Sequence, residues 1–212
     1  MAAFILPFLT LLLLLTFDIN FNQISNPVSF YSTDDPSPEK SDTLNTEETV
    51  LIRFGHDAPQ FWQVVNDGVM GGISQSRIRP LEAGHAVFEG VVSLENNGGF
   101  ASIRTRASQP VDLSEFDGLS IKAKGDNKVY CLRIKTVENG RVTSYAWEAR
   151  FTAGSEWETH QLSFADFRPV FRGRNLRDVP PLNTAAIFEI GLMIRDAQQG
   201  PFALEVMTLG VH

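Results

Sequence analysis

An all-β sandwich is the fold this sequence predicts, and three observations lead to it. After residue 50, apolar and polar residues alternate with a period of two, as in strands that bury one face. Turn-forming residues are frequent, with sixteen glycines and eleven prolines in 212 residues. No stretch after residue 20 carries a convincing helical period. An apolar fraction of 43%, including sixteen Phe and three Trp, supplies enough bulk for a core between two sheets.

Residues 1–20 come first in the chain. Met1 to Phe17 (MAAFILPFLTLLLLLTF) carry no charged side chain, which predicts a hydrophobic signal or membrane anchor over 1–20. No Lys or Arg precedes the apolar run and no clear small-x-small site follows it, so it conforms poorly to a cleaved signal. Residues 21–49 are predicted to be a disordered acidic linker, because the tract STDDPSPEKSDTLNTEET (32–49) has little to bury. The folded domain is expected over 50–212. The first arginine is Arg53, which argues against an arginine-rich mitochondrial presequence. The expected location is membrane-anchored or exported, with a mitochondrial one as the alternative.

Of the 18 basic and 25 acidic side chains, residues 1–49 hold one and seven. The remainder of the chain is therefore close to neutral, and its acidity sits in the tether. Without an excess of positive charge to meet a phosphate backbone, no nucleic-acid partner is expected. The single cysteine, Cys131, cannot form an intramolecular disulfide. Its place in a strand-like run predicts a small buried apolar residue.

The strands follow in order. Ala86–Leu94 and Phe100–Thr105 are candidates. Leu119, Ile121 and Ala123 alternate with Ser120, Lys122 and Lys124. Tyr130, Leu132, Ile134 and Thr136 alternate with Cys131, Arg133 and Lys135. Tyr145, Trp147, Ala149 and Phe151 alternate with Ala146, Glu148 and Arg150. Asn139-Gly140 between the last two runs accepts the positive φ angles of a type I′ turn, which predicts a hairpin over 129–151. Glu158–Leu162, Ile187–Ile194 and Phe202–Leu209 complete the set. In Ile187–Ile194, Phe188, Ile190, Leu192 and Ile194 share one side and Gly191 permits close approach on the other, as in a central strand. Short helical turns are expected near Phe164–Phe167 and Asn183–Ala186.

No catalytic constellation is visible. His56, His85, His160 and His212 show no metal-ligand spacing, no nucleophile elbow occurs, and neither cofactor nor metal is expected. Gly71-Gly72 in DGVMGGIS fits no phosphate-loop pattern and reads as a tight turn. Asp67, Asp117 and Asp126 each adjoin a glycine. That pairing favours local turn chemistry over a calcium site built from loop carboxylates. The segment LSFADFRPVFRGRNLR (162–177) interleaves Phe164, Phe167 and Phe171 with Arg168, Arg172, Arg174 and Arg177. Phe164 and Phe167 are expected to anchor a long loop to the core. Phe171, Arg172 and Arg174 have the composition of a protein-recognition surface.

Four stretches, FWQVVNDGVMGGISQSR, FEGVVSLENNGGFASIR, FDGLSIKAKGDNKVYCLRIKT and LSFADFRPVFRGR, resemble in order and spacing the complex I intermediate-associated protein 30 family, from Phe54 to Val211. The resemblance implies a jelly-roll β-sandwich like the galactose-binding domains. It also implies a non-catalytic role, as a chaperone-like assembly factor for a membrane-bound respiratory or photosynthetic complex. The partner-binding candidates are Asp67, Gly71, Gly72, Asn97, Phe171, Arg172 and Arg174. They would form a rim from the Asn66–Ser74 loop, the Asn96–Gly99 turn and the Phe171–Arg174 loop, facing a protein client, with residues 1–17 as a membrane tether. The alternative is an exported carbohydrate-binding module, with Trp147 and Trp157 as candidate stacking platforms.

Overall fold

In the computed structural model of the chain, residues 49–55 and 58–212 are described. The predicted apolar segment 1–20 and the acidic linker, save Thr49, lie outside them. The strands, in chain order, are β1 (Thr49–Arg53), β2 (Gln63–Val64), β3 (Gln75–Pro80), β4 (Ala86–Val92), β5 (Ala101–Val111), β6 (Gly118–Lys124) and β7 (Lys128–Glu138). They continue with β8 (Arg141–Val142), β9 (Ala146–Ala153), β10 (Glu158–Ser163), β11 (Arg168–Phe171), β12 (Arg174–Asn175), β13 (Ile187–Ile194) and β14 (Gly200–Val211).

They build two antiparallel sheets around one core. The back sheet runs β10, β6, β14, β4, β3. The front sheet runs β12, β11, β9, β7, β13, β5, β2, with β8 closing on the end of β7. The twelve residues of β14 serve two partners on one edge. Gly200 to Val206 pair with β4, and Thr208 to Val211 pair with β1. From the back sheet Phe88, Ile121, Phe202, Leu204 and Leu209 point inward. From the front sheet come Ile103, Tyr130, Leu132, Ile134, Leu192 and Ile194, all buried. Each such side chain contributes about 1.5–3 kcal/mol when withdrawn from water. Phe88, on the neighbouring strand, and Tyr130, from across the core, meet Phe202 edge-on, with ring centroids 4.9 and 6.5 Å away. The buried Tyr130 hydroxyl donates to Asp126 at 2.8 Å, and Asp126 also accepts from Lys128 Nζ and the Ala203 amide. Asp126 thus clamps its own turn, as its neighbour Gly125 suggested.

The predicted hairpin is present. Asn139 and Gly140 have φ of 51° and 73°, the two positive angles of a type I′ turn. Lys128 to Ile134 pair in register with Ala153 to Trp147. β13 lies between β7 and β5, the central position predicted for it. A Cβ on Gly191 would come within 2.9 Å of the Ile103 carbonyl, so this position accepts only glycine. Six strands go beyond the sequence reading: β1, β2, β3, β8, β11 and β12. The segment 162–177, expected to be a loop, carries β11 and β12. Phe167 is buried and Phe164 packs on the core, so these two phenylalanines are the anchors they were predicted to be.

Candidate functional site

The site starts from one buried carboxylate. Asp67 is fully buried and accepts from the amides of Ser74 (2.9 Å), Gly99 (2.7 Å) and Phe100 (3.3 Å), and from the Ser74 hydroxyl. Burial alone would raise its pKa. The donors from Ser74, Gly99 and Phe100 outweigh that effect and hold it below the ordinary aspartate value. Asp67 thereby ties the 67–74 loop to the start of β5. A Cβ on Gly72 would overlap this carboxyl group, and one on Gly98 would come within 2.7 Å of it. Both glycines are therefore required by the clamp. Asp67, fully buried, shapes the loop from beneath, and Gly72 is half-buried within that loop.

The clamped loop overhangs the outer face of the front sheet. There the registers align three rows of side chains. Glu189 lies opposite Arg106 and Lys135. Two residues on, Gly191 lies opposite Arg104 and Arg133, and Arg133 lies opposite Glu148. Two further on, Met193 lies opposite Ser102 and Cys131. All of these except Arg106 and Cys131 floor a groove of about 590 Å³, whose ends and sides include Val69, Met70, Gly98, Gly99, Phe171 and Arg172. The three loops named in the sequence reading thus meet around one cavity. Phe171 and Arg172 are on its wall, with the Arg172 guanidinium 5.4 Å from the Phe171 ring centre. Arg172 (φ 48°) and Gly173 (φ 76°) form a two-residue turn that presents this pair between β11 and β12. Gly71, Asn97 and Arg174 are exposed on the same loops but do not line the groove. At the rim Val69, Met70 and Phe171 are 74%, 55% and 41% exposed.

The floor is rich in ionised groups. Among the described residues, five cations line the groove (Arg104, Arg133, Lys135, Arg172, Arg195) against three anions (Glu148, Glu189, Asp196), an excess of positive charge in a chain that is acidic as a whole. Glu148 is buried and paired with Arg195 at 2.6 Å and Arg133 at 3.4 Å. Glu189 is buried and paired with Arg106 at 2.7 Å. Arg133 Nε and Arg195 Nε are buried without a hydrogen bond; the 3.4 Å approach of Arg133 to Glu148 is not aligned for one. Lys135 makes no ion pair or hydrogen bond among the described residues. Burial pushes its ammonium below the ordinary lysine range; Glu189 opposes that shift, and Arg133, Arg104 and Arg106 reinforce it. Cys131 lies beneath the floor with its thiol pushed up to about 12, first by burial and then by Glu148. Among the described residues no histidine lines the groove. Among the described residues no group of three or more His, Cys, Asp or Glu is placed to hold a metal ion.

The sequence reading missed Arg104, Arg133, Lys135, Glu148, Glu189 and Arg195. Their signal was present as the charged positions of the alternating strands. They gather only once the strand order places β5, β13, β7 and β9 side by side. The two tryptophans proposed as sugar platforms are elsewhere. Trp147 is 7% exposed and faces the core. Trp157 packs edge-on against His85 beside the back sheet, under Lys124.

The family profile described as complex I intermediate-associated protein 30 (CIA30) matches residues 52–206. An uncharacterized protein of Schizosaccharomyces pombe is 29% identical over 183 residues, covering 76% of this chain and 83% of that protein. The mitochondrial complex I intermediate-associated protein 30 of Drosophila melanogaster is 24% identical and covers 78% of this chain; the chain spans only 63% of that relative's length. Among solved structures, the family 11 carbohydrate-binding module of Clostridium thermocellum, in complex with a β-1,3-1,4-mixed-linked tetrasaccharide, superposes with a TM-score of 0.59 at 18% identity. It covers 77% of this chain and 94% of the module. That likeness bears on the fold alone and agrees with the expected galactose-binding-like jelly roll. Among the described residues no helix is long and apolar enough to cross a membrane; the predicted tether, residues 1–17, lies outside them.

Proposed function

Because this chain belongs to the complex I intermediate-associated protein 30 family, we propose that it is a non-enzymatic protein-binding module that assists assembly of a membrane-bound respiratory or photosynthetic complex. The observation that carries this reading is the wall of the groove, where exposed Val69, Met70 and Phe171 stand beside Arg172 over a charged floor. Methionine, aromatic residues and arginine are enriched at protein interfaces, and such anchors at the centre of an interface supply most of its binding energy. The module acts at a membrane surface, held there through the apolar residues 1–17.

The test uses the native host with this chain deleted. Assembled membrane complexes are resolved by native electrophoresis and quantified. Re-expression of the intact chain restores the client complex. A chain carrying Phe171→Ser and Arg172→Ala, with unchanged thermal stability, does not, whereas Arg77→Ala on the back sheet does. Full restoration by the double variant would refute the surface assignment, and normal complexes in the deletion would refute the assembly role.

The fold likeness favours carbohydrate binding as the second reading. Among the described residues, the only aromatic rings lining the groove are those of Phe100 and Phe171, which weighs against a neutral-sugar platform. Specific binding on a glycan array would reverse that order.

A further inference from the structure

We propose that the groove takes an extended acidic segment of a protein partner, with carboxylates at positions i and i+2 and an apolar residue at i+4. This inference rests on the protein-binding reading above and names the chemistry of its partner.

The argument starts from the register of the front sheet. Successive rows on one face are two residues apart along a strand, about 6.6–6.8 Å. The Arg106 and Lys135 row and the Arg104 and Arg133 row are separated by that step. An extended ligand chain lying along the strands repeats its own side chains at the same interval. Its carboxylates at i and i+2 therefore meet one cationic row each. One more step reaches Met193, an apolar side chain that lines the groove, so an apolar side chain belongs at i+4.

The floor supplies what such a ligand needs. Gly191 leaves a gap without a side chain between Arg104 and Arg133. Lys135 makes no ion pair or hydrogen bond among the described residues, whereas Arg133 Nε is buried against Glu148 at 3.4 Å. Glu148 already holds Arg195 and Arg133, and Glu189 holds Arg106 at 2.7 Å and Arg104 at a looser 3.8 Å, with Arg104 Nε also donating to Gln63; Lys135 is therefore the cation with the most capacity for an incoming carboxylate, and Arg104 the most loosely held of the paired arginines. Positive floor and acidic ligand are complementary. The apolar wall then selects a polypeptide over a simple anion.

The experiment measures fluorescence anisotropy of labelled peptides on the full chain. The probe is Gly-Glu-Thr-Glu-Thr-Leu-Gly. The control, Gly-Glu-Glu-Thr-Thr-Leu-Gly, has the same composition with adjacent carboxylates. The proposal requires the probe to bind at least about tenfold more tightly than the control, with affinity falling as salt is raised from about 0.05 M to about 0.5 M. Arg104→Gln with Lys135→Gln, and Lys135→Gln alone as the milder variant, weaken binding of the probe, whereas Arg77→Gln on the back sheet does not. Equal affinity for probe and control, or no effect of either groove variant, overturns the proposal. Tighter binding of oligogalacturonate than of the probe also overturns it, by assigning the groove to an acidic sugar. So does probe binding that emerges only when Asp34, Asp35, Asp42, Glu47 and Glu48 are changed to amides, because the occupant is then the chain's own acidic tract. If the peptide arms fail while complex assembly still depends on Phe171 and Arg172, the assembly reading stands and the groove assignment alone falls.

Discussion

Replacing Asp67 by alanine removes the clamp that holds the groove's overhanging loop, and the structure allows the cost to be worked out. The carboxylate receives three amide donors and one hydroxyl with no exposure to water. A hydrogen bond to a charged group contributes about 1.5–3 kcal/mol. The four do not add, because the released loop 69–73 is largely exposed and several donors can turn to water. The expected loss is therefore about 3 kcal/mol in total, which for a domain of this size lowers the melting temperature by roughly 6–12 °C. Asp67→Asn keeps one acceptor oxygen but points an amide at donors, and falls between alanine and the native chain. The pH dependence carries a sign. The folded-state pKa is depressed, so the stabilisation is present above the unfolded value near 3.9 and lost as pH falls through the lower folded value. Urea unfolding followed by tryptophan fluorescence, at neutral pH and below pH ~4, reads both quantities. The gap between native and Asp67→Asn chains should be full at neutral pH and narrow in acid. A loss under about 1 kcal/mol for Asp67→Ala, or an Asn variant as stable as the native chain, would refute the clamp.

Three further outcomes follow from the same geometry. Glu148→Leu strands two guanidiniums that are largely buried and should cost about 3 kcal/mol in chemical denaturation, more than Glu189→Leu, whose partner Arg106 is half exposed. Gly90→Ala drives a methyl group into the Gln75 carbonyl across the β3–β4 pair and should cost about 3 kcal/mol or more, read as a fall in the urea midpoint. Cys131, 1% exposed and with its thiol pushed up to about 12, should resist a thiol-specific reagent in native buffer at pH 8 and react completely in urea; ready labelling of the folded chain would contradict its burial.

Much of the fold was legible because the core strands obey a local rule. The alternation of Tyr130, Leu132 and Ile134 with Cys131, Arg133 and Lys135 placed the correct face inward, and Asn139-Gly140 fixed the hairpin. Edge strands were harder to read: β10 was found through Glu158–Leu162, but β3 was not. β3 (QSRIRP) is half exposed along its length, so it carries no buried period to read, and charges with a terminal proline are what edges require. The candidate site divides along the same line. Phe171 and Arg172 stood out by composition and do line the groove. Asp67 also stood out, but its role lies inside the protein, because only the fold reveals that its four donors arrive from Ser74 and from residues 99 and 100. The charged floor was invisible for a third reason. Arg104, Arg133, Lys135, Glu148 and Glu189 come from four strands whose adjacency is set by long-range pairing.

The central claim, that the groove wall captures a protein client for a membrane-bound complex, is tested most directly by affinity capture from crosslinked membranes of the native host. The chain carries a C-terminal tag, bound proteins are identified by mass spectrometry, and the Phe171→Ser, Arg172→Ala chain serves as the comparison. The account predicts respiratory or photosynthetic subunits enriched on the native chain and depleted on the variant. Equal recovery on both, or recovery of only glycans and secreted enzymes, would contradict it.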